Sequence, residues 1–338
     1  MKRFLTIMLA ALMLVSVFAF TGCGKDKPDD DKEPQDTSAP GENVTDKPDA
    51  DAEKTIFKIN GADYALALPE NTQITYSDGQ LSIKIIDDVK SIDLTPLSVM
   101  PDFRYLEISC NEQTAKPENL ILPAPVEQVA ISLGEVGRLD ASKAMNMKLL
   151  SLECPVKEAE FAGKLENAVI NADLQLSIFK DCSALNHMAI YKSIDLAPLA
   201  DLPALADLTL CKAPDDGSWD LSPVAGLKNL TTLRLFNGGE FMAEELKALE
   251  GASFTTLQVS DNNVRDLSVL KQLPACKILT LEVSCDQNGD FSPAEALSAD
   301  SLKELKTHIP VEQLQSFIDN GGAIYAVPDQ NRIFDDVR

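Results

Sequence analysis

The side chains able to do chemistry in this chain are few, and their spacing does not suit a composite active site. Only two histidines occur, His187 and His308, which withholds the commonest general base and the commonest metal ligand from most conceivable sites. Of the seven cysteines, Cys110, Cys154, Cys182, Cys211, Cys276 and Cys285 show no CxxC or zinc-like clustering. The seventh, Cys23, stands apart near the N-terminus. Asp286-Gln287-Asn288-Gly289-Asp290 has the outline of a calcium loop, but the twelfth position from Asp286 is Leu297, where a bidentate glutamate is required. It reads as a turn, and Asp29-Asp30-Asp31 reads as solvated chain. There is no GxSxG elbow, no phosphate-binding glycine loop and no Ser/His/Asp set that the chain pattern forces together. The expected chemistry is recognition, with no catalytic residue, metal or cofactor. The 53 acidic and 30 basic residues leave a formal charge of -23, which repels phosphate backbones and anionic lipid within a Debye length. Nucleic acid is therefore not expected as a partner.

Cys23 gains a role from what precedes it. Met1-Lys2-Arg3 is a short positive region, Phe4 to Phe20 is almost unbroken apolar chain, and Phe20-Thr21-Gly22-Cys23 closes it. This is the layout of a secretory signal peptide over residues 1–22, and small residues before a cysteine resemble the lipobox of bacterial lipoproteins, with Phe20 in place of the usual leucine. The resemblance implies that Cys23 carries a diacylglyceryl group and becomes the new N-terminus. The protein is then extracytoplasmic, lipid-anchored to the bacterial cell membrane at the cell surface. Residues 23–54 are acidic and proline-rich, with Pro28, Pro34, Pro40 and Pro48 and almost no large apolar side chain. Such a segment cannot bury a core and reads as an extended tether.

What must position any site is a repeat. Blocks beginning at Asp93 (DLTPLSVMPDFRYLEI), Asp195 (DLAPLADLPALADLTL), Asp220 (DLSPVAGLKNLTTLRL) and Asp266 (DLSVLKQLPACKILTL) align without a gap. Their ending, apolar-x-x-apolar-x-apolar, recurs at Val126, Val129, Ile131, at Met147, Leu150, Leu152, at Leu165, Ala168, Ile170 and at Leu185, Met188, Ile190. It appears again at Phe254, Leu257, Val259 and at Cys276, Leu279, Leu281, with a weaker copy at Leu302 and Leu305. From Leu106 to Leu305 the mean step is about 22 residues. Each LxL reads as a strand with its leucines inward, unable to bury that stripe unless neighbouring copies stack.

Leu257, Val259, Asn262, Val264 and Leu267 fall on LxLxxNxLxxL, so the chain resembles the leucine-rich-repeat family, most like the internalin-type 22-residue repeats of bacterial surface proteins. The resemblance spans roughly residues 80–308 and is loose from Glu112 to Asp181, where Pro117, Pro123 and Pro125 interrupt. It implies an α/β repeat solenoid with a parallel concave sheet and irregular turns or short helices on the convex side. Asn111 and Asn262 give way to Ala213 and Gly238 in other copies, so an asparagine ladder would be discontinuous. Residues 55–86, with Asn60-Gly61 and Asp78-Gly79 between alternating apolar runs, read as an N-terminal β-hairpin cap. Residues 87–309 form the solenoid, with a back-face helix expected at Ala243 to Leu249, and residues 310–338 form a C-terminal cap.

Cys110 and Cys154 follow their LxL segments at the same offset with one repeat between them. That puts them near 10 Å apart at about 4.8 Å per strand, beyond disulfide reach. The outward strand positions are where a site is expected. They include Glu107, Glu153, Thr209 and Lys306, and the ligand-binding set proposed on the concave face is Tyr191, Arg234, Phe236, Gln258, Ser260 and Glu282. Tyrosine and arginine are enriched at binding hot spots. Exposed aromatics that merely pack on neighbours are the plain alternative. The function expected is a recognition or adhesion module for a protein or glycan ligand. The alternatives are an envelope structural or assembly component, and a hydrolase with an acidic site in the irregular stretch from Glu112 to Asp181.

Overall fold

The structure is a computed structural model describing residues 54–111, 113–213, 216–237, 245, 247–249, 252, 254–260, 280–284, 304–307 and 323–326. From 236 and 237, 258–260, and the strands beyond, only the backbone is described. The signal peptide, Cys23, nearly all of the tether, Cys276, Cys285, His308 and the Asp286–Asp290 turn lie outside the described residues.

The two hairpin turns form at the Asn-Gly and Asp-Gly pairs. Strand β1 (Thr55–Ile59) pairs antiparallel with β2 (Ala62–Leu66), and β3 (Gln73–Ser77) with β4 (Gln80–Ile85). Asn60, Gly61, Asp78 and Gly79 all have positive φ, at 49, 81, 52 and 81°, as a two-residue type I′ loop demands. Gly79 is doubly constrained, because a Cβ there would sit 2.5 Å from the Asp102 carbonyl oxygen.

From β4 onward the chain lays down one parallel strand per coil. In order these are β6 (Tyr105–Cys110), β8 (Gln128–Ser132), β10 (Leu149–Leu152), β12 (Asn167–Ile170), β13 (His187–Ile190), β14 (Asp207–Lys212) and β15 (Thr232–Asn237). They continue as β16 (Thr256–Ser260), β17 (Thr280–Ser284), β18 (Glu304–Thr307) and β19 (Ala323–Ala326). With β3 and β4 they make a 13-stranded sheet, parallel except at the β3–β4 hairpin. This is the stacked-coil architecture of a leucine-rich-repeat solenoid.

The register shows what holds it together. Leu81, Leu106, Val129, Leu150, Ala168, Met188, Leu208, Leu233 and Leu257 stand opposite one another in successive strands. Two residues on, Ile83, Ile108, Ile131, Leu152, Ile170, Ile190, Leu210 and Leu235 form a second inward row, every member of which is at most 1% exposed. Burying a side chain of this size is worth about 1.5–3 kcal/mol, so the spine is the dominant favourable contribution. The repeat from Asp266 departs from its gapless alignment, because the sheet uses Leu281 and Val283 opposite Leu257 and Val259, rather than Leu279 and Leu281. Both frames alternate correctly, so the apolar pattern alone could not choose between them.

Behind the strands the spacing changes from two to three. Leu94, Leu97, Met100 and Phe103 are buried, as are Leu196, Leu199, Leu202, Leu205 and Leu221, Val224, Leu227, Leu230. The 3-10 turns Thr95–Val99 and Ala197–Asp201 and the short helix Ser222–Ala225 occupy these stretches, and side chains three apart eclipse in a 3-10 turn. The aspartate that opens three of the four blocks is explained too. Asp93, Asp195 and Asp220 use Oδ1 to accept the backbone N–H two residues later, as local turns of this kind require. Leu176, Phe179, Cys182 and Leu185 are a further buried copy, with Gln175 where the aspartate would stand. Cys182 is therefore a core residue.

The irregular stretch differs from the expected back of turns and short helices. There the back is a second, 4-stranded parallel sheet of β5 (Ser91–Asp93), β7 (Asn119–Ile121), β9 (Val136–Ala141) and β11 (Val156–Phe161). An extended residue advances about 3.3 Å against about 2 Å in a 3-10 turn. The shortest coil, 18 residues from Leu150 to Ala168, therefore closes through β11 without a helix. The interior of the irregular stretch is filled, with Leu120, Leu139 and Leu150 all 0% exposed. Lys157 and Glu160 of β11 pair with Glu135 and Arg138 of the preceding coil, and Phe161 stacks on Phe179 at 5.5 Å, joining β11 to the next coil. The asparagine ladder does not begin at Asn111, which is exposed. Of the helix expected at Ala243 to Leu249, Glu245 and Lys247 are helical and Leu249 is buried, and the remainder is only partly among the described residues.

Candidate binding face on the long sheet

Because side chains alternate along a strand, the residues between the inward leucines make the outer face of the long sheet. Register then assembles them into rows. Thr209, Arg234, Gln258, Glu282 and Lys306 share one row, and Cys211, Phe236, Ser260 and Ser284 share the next. Tyr191 follows Ile190 and Cys211 follows Leu210, so these two stand in adjacent coils of that second row. The six residues singled out in the sequence thus occupy two neighbouring rows across the strands β13 to β17. The side chains of Phe236, Gln258, Ser260 and Glu282 lie outside the described residues, so their placement is one of register.

At the strand mouths the coils are stitched by a recurrent bond pattern. The Arg104 and Tyr105 N–H groups both donate to the Gly79 carbonyl, and those of Glu127 and Gln128 to that of Arg104. The same fork repeats on Glu127, Lys148, Glu166, Asn186, Ala206 and Thr231. From Arg104 to Glu166 the side chains at these stations alternate in charge, with Arg104–Glu127 at 4.0 Å and Lys148–Glu166 at 3.9 Å. Such exposed pairs hold register more than they add stability.

Two polar groupings occupy the described part of the outer face. Tyr191 and Cys211 are interacting side-chain neighbours. Burial pushes the Cys211 thiol up to about 12, and burial first, then Cys211, raises the Tyr191 hydroxyl. Tyr191 is half-buried there. The second grouping joins three strands. His187 Nδ1 lies 3.4 Å from Asp207 Oδ1, and Arg234 Nη1 donates to that same oxygen. Burial would raise the Asp207 carboxyl, but the His187 and Arg234 hydrogen bonds and charges outweigh it and hold the group below its ordinary value. Farther along, Tyr105 is raised by burial and then by the charges of Glu107 and Glu153.

His187 and Asp207 were not singled out from sequence, although each immediately precedes the first inward residue of its coil, Met188 and Leu208. Equivalent positions in successive repeats are neighbours, and that signal would have found them. Also missed was a buried pair behind the sheet. Lys212 Nζ lies 2.9 and 3.0 Å from the two Glu245 carboxylate oxygens, and the Trp219 backbone N–H donates to one of them. Cys110, Cys154, Cys182 and Cys211 are free thiols. Among the described residues no group of three His, Cys, Asp or Glu side chains is placed to hold a metal, and no helix is long and apolar enough to cross a membrane.

The chain matches no protein-family model and no curated protein. Among solved structures it is similar to two internalins of Listeria monocytogenes. One (inlF) is 18% identical, with 73% of this chain and 74% of that chain covered, at a TM-score of 0.34. The other, internalin C2, is 20% identical, with 67% and 80% covered, at a TM-score of 0.28. The solenoid itself is identified by its strand register.

Proposed function

We propose that this chain is a surface-tethered recognition module that binds a partner protein on the outer face of the long sheet, between β13 and β17. One observation carries the reading. An unbroken parallel register turns Tyr191, Arg234, Phe236, Gln258, Ser260 and Glu282, far apart in sequence, into two adjacent rows on a regular platform. Repeat solenoids present broad ordered surfaces of this kind, and Arg and aromatic side chains are the types that dominate binding energy. Attachment is assigned to the lipid on Cys23 and reach to the acidic tether, because a chain of charge -23 has no electrostatic attraction to an anionic membrane. Extracytoplasmic localisation follows from the same N-terminal features.

The test is capture of cell-surface proteins and glycans by the domain beginning at residue 55, with affinity then measured for each purified ligand. Arg234→Glu and Phe236→Ala are expected to weaken binding at least tenfold. Unchanged affinity for every captured ligand would place the site elsewhere, and capture of glycan alone would change the partner class. For the anchor, Cys23→Ser is expected to abolish acyl labelling, and persistent labelling would refute it.

A further inference from the structure

We propose that His187, Asp207 and Arg234 form a proton-responsive clasp, in which protonating the imidazole loosens Arg234 from the carboxylate oxygen they share and frees the guanidinium for outward contacts. The inference goes beyond partner binding, and its test needs no ligand.

The geometry is that of two donors competing for one acceptor atom. His187 Nδ1 and Arg234 Nη1 both converge on Asp207 Oδ1. The site is partly shielded, with side-chain exposures of 12% for His187, 28% for Asp207 and 30% for Arg234, so these charges are less screened than on open surface. Imidazole is the side chain whose ordinary charge change falls between pH 5 and 8. With His187 neutral, Arg234 and Asp207 make a balanced ion pair. With His187 protonated, two cations face a single carboxylate and the cluster gains one positive charge.

Among the described residues, the surroundings leave that charge to these three groups. Opposite His187 on β12 is Asn167, which carries no charge, and opposite it on β14 is Asp207. Arg234 reaches in from β15. Along β13 the nearest titratable group is Tyr191, engaged with Cys211 of β14. From the preceding turn, Glu166 is paired with Lys148. A freed Arg234 would lie in the row that continues through Gln258 and Glu282, so acidification would make that row more cationic.

The experiment is an NMR titration of the full chain with labelled histidine and arginine, in which His308→Gln assigns the two imidazole signals. The Arg234 Nε resonance is expected to move in step with the His187 imidazole in the wild-type protein, and to stay still over the same range in His187→Gln. The His187 midpoint is expected to be lower in Asp207→Asn and higher in Arg234→Gln than in the wild-type protein. An Arg234 signal that stays flat while His187 titrates would overturn the proposal. A His187 midpoint indifferent to both substitutions would do the same.

Discussion

Glu245→Gln is the substitution whose consequence the structure defines most closely. Lys212 occupies an inward position at the end of β14, two residues past Leu210, where other coils bury an apolar group. Its side chain is 5% exposed and that of Glu245 1%. The glutamine keeps the volume, and its carbonyl can still accept from the Trp219 N–H. It removes the carboxylate charge beside a buried ammonium, however, and breaking a buried pair from one side costs about 3–5 kcal/mol. Lys212→Met removes the ammonium beside the buried carboxylate, at a similar cost. In the double variant neither charge of the pair remains, and the hydrogen bonds between the two side chains are lost, at about 0.5–1.5 kcal/mol each. The double variant should therefore be destabilised far less than the sum of the singles, and less than either alone. Urea unfolding of each variant measures this, with fluorescence of the single tryptophan, Trp219, reporting beside the pair and circular dichroism reporting the sheet. Additive costs in the double variant would refute the reasoning, because additivity means the two side chains do not interact.

Two further outcomes follow from the same structure. Gly79→Ala should destabilise by well over 1 kcal/mol, combining a strained positive φ with a backbone clash. Gly61→Ala, at the same φ of 81° but with open space around it, should cost about 1 kcal/mol, and equal melting-temperature losses would dismiss the clash. Burial pushes the Cys154 thiol from 9.0 to about 11. A raised acid favours the folded state fully below the unfolded value and loses that contribution as pH rises through the folded one. Stability should thus decline between pH 9 and 11, and Cys154→Val should decline less; identical urea midpoints across that range would exclude the thiol as the cause.

The repeat was legible because strand positions obey a period of two and must be apolar in every coil. Four aspartate-led blocks and the hairpin turns at Asn60 and Asp78 could be read directly. The copy at Gln175 was masked by the loss of its aspartate. Asp140, which caps Ser142 through N–H and hydroxyl bonds as Asp93 caps Thr95, was masked because its coil is three residues shorter between Asp140 and Leu150 than between Asp195 and Leu208. Back strands such as Ser91–Asp93 and Asn119–Ile121 span three residues each, too few for alternation to declare itself. At the candidate face, Arg234 was found as a residue type, whereas His187 and Asp207 acquire meaning only once register makes them neighbours. Lys212 and Glu245 lie 33 residues apart and look like ordinary surface charges until burial is known.

The stacked register is tested most directly by spin-label distances on the outer row, with labels at Glu107 paired in turn with Ser151, Arg234 and Gln258 in a background lacking the native cysteines. Strand order places these two, six and seven strands from β6, so at about 4.8 Å per strand the distances should climb through roughly 10, 29 and 34 Å. Distances that fail to increase in that order would contradict the parallel spine, and with it the assembly of the binding rows.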